Sequence, residues 1–402
     1  MGSSMSTAHS MEHVPDDALG EVLVRVPPHP ATLARASLAC KGLHRFIGGA
    51  QFRRDFQAHH HKSTPPPLLG FFHDDQSLPN NFLPIGDDDG DSPDRVSAAA
   101  FDPKDLGWRV VDSRHGRVLL QSPDRVRFLV WDPAAGRRLY INAPPAMLQL
   151  QLAAANHHFM LRYNNAAVVC AAAPGPGHLD HSDCHDCPFS VVLVATPDPG
   201  TTVAYLYSSE LGLWNEVATA DLSISSWLRI SDRPVALVRN VLYWTLVHQS
   251  SCVQSSILAF DLHTHRLYLI EQPVYIFDAE EENVQVMETA EDGLLGLVAA
   301  CGLSLQLWVL REYNGRGTER WSMPRQIDMY DLALAPIGST HHFDLVWILS
   351  VEGSRVVFVR TEAGIFEVDL WNDLLKRRIC DAYDIQAFYP YKSFYYRGTG
   401  AP

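Results

Sequence analysis

The chain has 402 residues, 47% of them hydrophobic and 10% aromatic, enough apolar material for one large domain plus a small one, or for two medium domains. Lys and Arg number 32 against 46 Asp and Glu, a net charge of -14 whose field repels phosphate backbones and anionic lipid, so neither nucleic acid nor a membrane is an expected partner. Seven cysteines, odd in number and scattered apart from one Cys-x-x-Cys pair, do not make a disulfide framework and suit a reducing compartment, cytoplasm or nucleus.

Residues 1–10 have neither the apolar run of a secretory signal nor the arginines of a transit peptide, and read as a flexible leader. Residues 11–60 have a helical rhythm. In DDALGEVLVRV, Ala18, Leu19, Val22, Leu23 and Val26 recur at three- and four-residue steps behind Asp16 or Asp17 as a cap, and Pro27, Pro28 and Pro30 end the helix. ATLARASLACKGLHRFI predicts a second helix with Leu33, Ala36, Ser37 and Cys40 on one face, and Phe52 and Phe56 begin a further short element. His59, His60 and His61 cannot all face one metal from a regular helix and read as surface residues.

Residues 61–67 form a proline-rich linker, and from 68 to 402 the pattern becomes short apolar and aromatic runs divided by Gly, Pro, Asn and Asp, which is all-β. FLVWDPAAGRRLYI (from Phe128), ILAFDLHTHRLYLI (from Ile257) and IFEVDLWNDLLKRRI (from Ile365) repeat one design: a strand ending in Asp132, Asp261 or Asp369, a polar turn, and a second strand near Leu139, Leu267 or Leu375. Each aspartate is placed to accept hydrogen bonds from turn amides. Looser copies begin at Ala204 and Leu305, and most units are preceded by another apolar pair, as in WRVVDSRHGRVLLQ, RPVALVRNVLYWTL and VWILSVEGSRVVFVRT. Four strands per unit at this spacing predict a β-propeller. Five units are visible, and LLGFF with SAAAF near the start plus AFYPYKSFYY at the end could close a sixth, so six blades are expected, with five or seven as alternatives. The apolar run LLGLVAACGLSLQLWVL is too short and too interrupted to span a membrane, and reads as two buried strands around a Cys301-Gly302 turn.

Between the first two units lies HLDHSDCHDC, where Cys184 and Cys187 with His178, His181 or His185 could supply four ligands to a closed, structural zinc site. The spacing of the repeats makes this an insertion on a loop between AAVVCAAA and FSVVLVAT, and a long polar hairpin tip is expected to be exposed. No second ligand pair stands at finger spacing, so the stretch reads foremost as a solvated loop, with no cofactor expected. The acidic run from Asp87 to Asp91 lacks the ligand spacing of a calcium loop. No Gly-x-Ser-x-Gly elbow, His-Glu-x-x-His, phosphate-binding loop or dinucleotide fingerprint occurs, so catalysis is not expected.

The helical run VPDDALGEVLVRVPPHPATLARASLACKGLHRFI resembles the F-box. Val14-Pro15 stands for its opening Leu-Pro, Val22-Leu23 for the Ile-Leu of the first helix, Val26-Pro27 for the second Leu-Pro, and Ala39-Cys40-Lys41 for Val-Cys-Lys; Leu43 stands where the family usually has Trp. LLGFF, EDGLLGLVAACGLSLQLW, RTEAGIFEVDL and YPYKSFYY resemble the F-box-associated β-propeller of large plant families. The resemblance implies a substrate receptor of a cullin-based ubiquitin ligase, with no catalysis of its own. Its F-box would dock a Skp-type adaptor, and through it cullin, by way of Val14, Pro15, Leu19, Val22, Leu23, Val26, Pro27, Leu33, Leu38, Cys40, Lys41 and Leu43. Its propeller, residues 68–402, would hold an unidentified target protein on loops at one rim. The rival reading is a propeller scaffold whose degenerate F-box no longer engages the adaptor.

Overall fold

The computed structural model describes residues 16–28, 30–60, 66–75, 78, 81–85, 98–103, 107–148, 164–172, 184–185, 187–198, 201–221, 228–248, 256–273, 283–289, 293–312, 320–333, 346–372, 376–381 and 384–393. Four helices come first: α1 (Asp16–Val24), α2 (Pro30–Ala39), α3 (Lys41–Ile47) and α4 (Ala50–His60). Pro30 opens α2 instead of merely closing α1, because proline at the first helical position lacks only an amide that would have no partner there. The second helix expected from the sequence is divided at Cys40, which takes an extended conformation and accepts the Leu43 amide on its Sγ at 3.4 Å, capping α3.

Among the described residues, twenty-four strands follow in six sheets. The second blade in space holds β3 (Arg109–Arg114), β4 (Arg117–Gln121), β5 (Arg127–Asp132) and β6 (Arg137–Asn142); the third holds β7 (Asn164–Cys170), β8 (Phe189–Asp198), β9 (Thr201–Ser208) and β10 (Leu213–Asp221). In the fourth blade the innermost strand is broken into β11 (Leu228–Ile230) and β12 (Ala236–Val238), both paired with β13 (Val241–His248), which continues to β14 (Ser256–Asp261) and β15 (Arg266–Glu271). The fifth contains β16 (Val284–Glu288), β17 (Leu295–Cys301), β18 (Ser304–Glu312) and β19 (Arg320–Asp328), and the sixth β20 (Trp347–Glu352), β21 (Val356–Thr361), β22 (Gly364–Asp369) and β23 (Lys376–Cys380). Gly302 takes φ +57° in the tight turn between β17 and β18, the turn expected at Cys301-Gly302.

The first blade joins the two ends of the propeller: β1 (Leu68–His73) pairs β2 (Phe82–Pro84) on one side and β24 (Phe388–Lys392) on the other, both antiparallel. The ring of six is therefore closed by pairing of early and late chain, as LLGFF and AFYPYKSFYY suggested. SAAAF, expected to help form this sheet, makes a 3-10 turn at Ala98–Phe101, and the blade has three strands among the described residues. Phe101 still contributes, stacking on Phe82 with ring centroids 4.2 Å apart.

The core lies between blades. Each of the six seams has its own cluster of buried side chains, such as Val110, Val118, Leu120 and Trp131 against Phe72 and Tyr389, or Val298 and Leu305 against Ile348 and Val357. A strand buried on both faces sends alternate residues to two different seams, which is why β4 reads as unbroken RVLLQ: Val118 and Leu120 face the first blade and Leu119 the third. Phe71 packs between Phe358 at 4.5 Å and Phe388 at 4.4 Å, locking the closing blade to the sixth.

Around the channel, polar side chains of the innermost strands bond to the backbone of the next blade. Asp112 accepts the Val168 amide at 2.9 Å, Asn165 donates to the Ser231 carbonyl at 2.8 Å, Gln285 to that of Pro234 at 2.8 Å, and Asn283 to that of Val346 at 2.6 Å. Trp347 Nε1 donates to the Gln386 carbonyl at 3.2 Å and Ser113 Oγ to that of Pro390 at 2.8 Å, so every seam is crossed. The break before Pro234 in the fourth blade puts Arg233 into the channel, where it donates to the carbonyls of Ile348 and of Gln386, the latter at 2.9 Å, with the Trp347 ring 4.6 Å away.

Candidate interaction site

The helical unit packs its own small core from Leu23, Leu33, Ile47, Phe52 and Phe56, with Leu19, Val26, Leu43 and Phe46 partly buried around it. One propeller residue joins that cluster: Ala134, fully buried, from the turn between β5 and β6. His60 fastens the end of α4 to the end of α1, its Nε2 lying 2.9 Å from the Val24 carbonyl oxygen. It is buried, contrary to the surface position expected for it, and burial lowers its pKa. His59 is exposed, and His61 lies outside the described residues.

The expected adaptor contacts separate into two groups. Leu23 and Leu33 point into the helical core, while Val22 is 64% exposed and Pro27, Cys40 and Lys41 are also exposed. Leu19, Val26 and Leu43 are half-buried. Val14 and Pro15 lie outside the described residues, as does the Leu38 side chain. A one-residue step along α1 thus moves from the buried Leu23 to the exposed Val22, an apolar group offered to solvent beside Glu21 and Arg25.

The propeller has two ends, and the alternation of strand direction puts the turns after the first and third strands of each blade at the same one. That end carries the Ala134 turn, hence the helical unit, and the mouth of a channel depression of about 230 Å³. The depression is lined by Asp112, Arg114, Gln285, Glu288, Glu352 and Tyr389, among others. Burial raises the Asp112 carboxyl although Arg114 stands 3.2 Å away, and burial likewise raises the Tyr389 phenol. Ser350 and Gln285 border the depression, and Ser350 Oγ and Gln285 Oε1 are buried without a hydrogen-bond partner.

The described part of the Cys-x-x-Cys stretch, Cys184, His185 and Cys187, lies at this same end, and Cys184 and His185 are buried where a solvated loop was expected; residues 173–183 lie outside the described residues. Cys184 is 3% exposed and its amide donates to the His115 carbonyl at 3.2 Å. His185 is buried, with Nδ1 2.9 Å from Asp132 and Nε2 3.0 Å from Ser393 Oγ, so both ring nitrogens are engaged away from the sulfurs. His178 and His181 lie outside the described residues. The sulfur brought to Cys184 and Cys187 comes from Cys170 at the end of β7, and the three Sγ atoms lie within 4.8 Å of one another. Cys170 was hidden in AAVVCAAA, where it reads as a strand residue. The only cue was its pairing position, since AAVVCAAA and FSVVLVAT form a hairpin that joins Cys170 to Phe189 just after the Cys-x-x-Cys.

A family model described as "F-box protein AT5G49610-like, beta-propeller" matches residues 109–381. No curated protein matches the chain. Among solved structures it is similar to a luciferin-regenerating enzyme, with 8% identity over 70% of this chain and 80% of that one and a TM-score of 0.40. It is similar also to the WD40 domain of SCAP from fission yeast, with 11% identity over 68% of this chain and 52% of that one and a TM-score of 0.38. A third is regucalcin, a calcium-binding protein from Agrobacterium tumefaciens, with 11% identity over 67% and 74% and a TM-score of 0.38. Likeness this low bears on neither ligand nor partner.

Proposed function

Because the chain belongs to the F-box protein AT5G49610-like β-propeller family, we propose that it is a non-catalytic substrate receptor of a Skp-cullin-F-box ubiquitin ligase. The helical unit is the F-box and docks the Skp-type adaptor; the propeller holds a target protein for ubiquitination. The observation that carries this reading is the construction of the helical unit, which has a core of its own yet leaves Val22 on its surface and is seated on the propeller at Ala134. A small helical module fixed to a rigid ring suits a receptor, because the distance between adaptor and target is then set by packed contacts and not by a floppy linker.

The channel mouth is a suitable target site, since it lies at the end that carries the helical unit and is ringed by fixed inner strands bearing Asp112, Arg114, Glu288 and Glu352. Cytoplasm or nucleus is the proposed location. No described helix is long and apolar enough to cross a membrane.

The test is affinity purification of the full chain and of its Val22→Glu variant under proteasome inhibition. Adaptor and cullin should accompany the first and be depleted from the second, while target proteins accompany both. Targets without adaptor or cullin in either sample would instead support a propeller scaffold acting outside a ligase.

A further inference from the structure

Three cysteines from two separate stretches of chain converge beside β4. Cys170 ends β7; Cys184 and Cys187 sit on the returning loop just before β8, joined by a turn in which the Cys187 amide donates to the Cys184 carbonyl at 3.3 Å. Such a turn sets the two side chains on one side of the backbone, and the Cys170–Phe189 pairing sets the third against them. The sulfurs lie within 4.8 Å of one another and form no disulfide. A tetrahedral ion with metal-sulfur bonds of about 2.3 Å holds its sulfurs about 3.8 Å apart, so the three atoms stand within about 1 Å of ligand geometry before any ion is present.

The surroundings agree. Arg117 is buried and donates to the carbonyls of Cys187 at 2.5 Å and His185 at 3.3 Å, holding the loop from beneath, with the Phe189 ring 5.0 Å from its guanidinium. It is the nearby positive charge that offsets the single net negative charge of a divalent ion with three thiolates. Hydrogen bonding to Cys170 and burial hold the Cys184 thiol protonated in the metal-free protein, and burial raises Cys187 likewise. The other described cysteines, Cys40, Cys301 and Cys380, belong to other elements.

We propose that Cys170, Cys184 and Cys187 form a binding site for a thiophilic d10 metal ion, with Zn²⁺ as its divalent representative. On binding, each thiol releases its proton to solvent and forms one sulfur-metal bond; nothing is oxidised or reduced. A soft, all-sulfur donor set selects zinc-like and copper(I)-like ions over magnesium or calcium. The ion staples the returning loop to the end of β7, and His185 and Arg117 tie the same loop to the first and second blades. Three protein donors leave the fourth tetrahedral position to another donor, such as water.

The test uses full-length reduced protein stripped with a chelator and titrated with Zn²⁺ against a chromophoric competitor, with Co²⁺ as a spectroscopic substitute. One ion per chain should bind, Co²⁺ should give a thiolate-to-metal charge-transfer band, and zinc should raise the melting temperature. Cys170→Ser, Cys184→Ser and Cys187→Ser should each weaken binding by more than the ~10–100-fold that loss of a mere supporting partner costs, while Cys301→Ser leaves it unchanged. Sub-stoichiometric binding, or stoichiometric binding that survives Cys170→Ser, would overturn the assignment. If the serine variants do not fold, absence of the thiolate band in wild-type protein loaded with Co²⁺ overturns it by itself.

Discussion

Asn283 grips the sixth blade at two points, accepting the Ile348 amide on Oδ1 at 2.8 Å while Nδ2 donates to the Val346 carbonyl at 2.6 Å. One side-chain amide thereby satisfies a buried donor and acceptor of a strand to which it is not paired, and it acts as a surrogate rung between two sheets that share no ladder. Removing it leaves both backbone groups buried with no partner, which costs more than the hydrogen bonds themselves contribute. Asn283→Ala should lower the unfolding free energy by about 2–4 kcal/mol, read from chemical denaturation, and Asn283→Asp should also be destabilising because its carboxylate cannot donate to Val346.

Arg233 does the same across the channel. Burial lowers its guanidinium only to about 10, so it stays charged at neutral pH while it reaches Ile348 and Gln386. Arg233→Met keeps the length and loses the donors; a loss of about 2–4 kcal/mol is expected. Denaturation with the midpoint shifted and the slope unchanged would confirm that the native state alone is affected.

Gly70 lies where β1 crosses Phe82. A Cβ there would stand 2.5 Å from Phe82 Cζ and closer still to the Leu83 carbonyl oxygen, so nothing larger than glycine fits without moving β2. Gly70→Ala should destabilise the closing blade by about 1–3 kcal/mol. Amide exchange should quicken first in β1 and β24, the seam that joins the chain ends.

The repeated aspartates carry a pH dependence. Asp132 accepts the Ala135 amide at 2.8 Å, Asp261 those of His263 and Thr264 at 2.8 Å, and Asp369 those of Trp371 at 2.8 Å and Asn372 at 3.2 Å. Burial alone would raise these carboxyls, but it is outweighed at Asp132 by His185 and then the Ala135 amide, at Asp261 by the turn amides, and at Asp369 by the turn amides with Arg355, which hold all three below the usual range. With the folded value below the unfolded one, the unfolded chain binds more protons in that window. The stabilisation is therefore complete above about pH 4 and is lost as pH falls through the folded values. Replacing all three by Asn, which can still accept the turn amides but carries no charge, should lower stability at pH 7 and flatten its decline under acid. Urea midpoints from pH 2 to 7 would show both effects, and an unchanged slope would mean the carboxylates titrate normally.

These same aspartates explain why the architecture was legible in the sequence. A strand ending in Asp before a polar turn has a local use, and in three blades it ends the third strand where its carboxylate accepts the amides of the turn to the fourth. Ring closure was legible too, since aromatic strands at both ends of an all-β chain need a partner edge. The inter-blade latches were not: Asp112, Asn165 and Asn283 each sit in or beside an apolar strand, and their partners are backbone groups 56 to 66 residues away, which sequence pattern does not reveal. The three-sulfur cluster was half visible. Cys184 and Cys187 stand three residues apart in sequence, but Cys170 joins them only through the pairing of β7 with β8, and Cys184 and His185 are buried at the end of a stretch that polarity marked as exposed.

The ligase reading rests most directly on one contact, and its measurement is the affinity of the purified full chain for a purified Skp-type adaptor. A defined complex with a dissociation constant of about 1 µM or tighter is predicted, weakened by roughly tenfold or more in Val22→Glu. Val22 is exposed, so that substitution should leave the thermal melt nearly unchanged. A folded, fully melting protein that shows no association with the adaptor at about 100 µM would contradict the account.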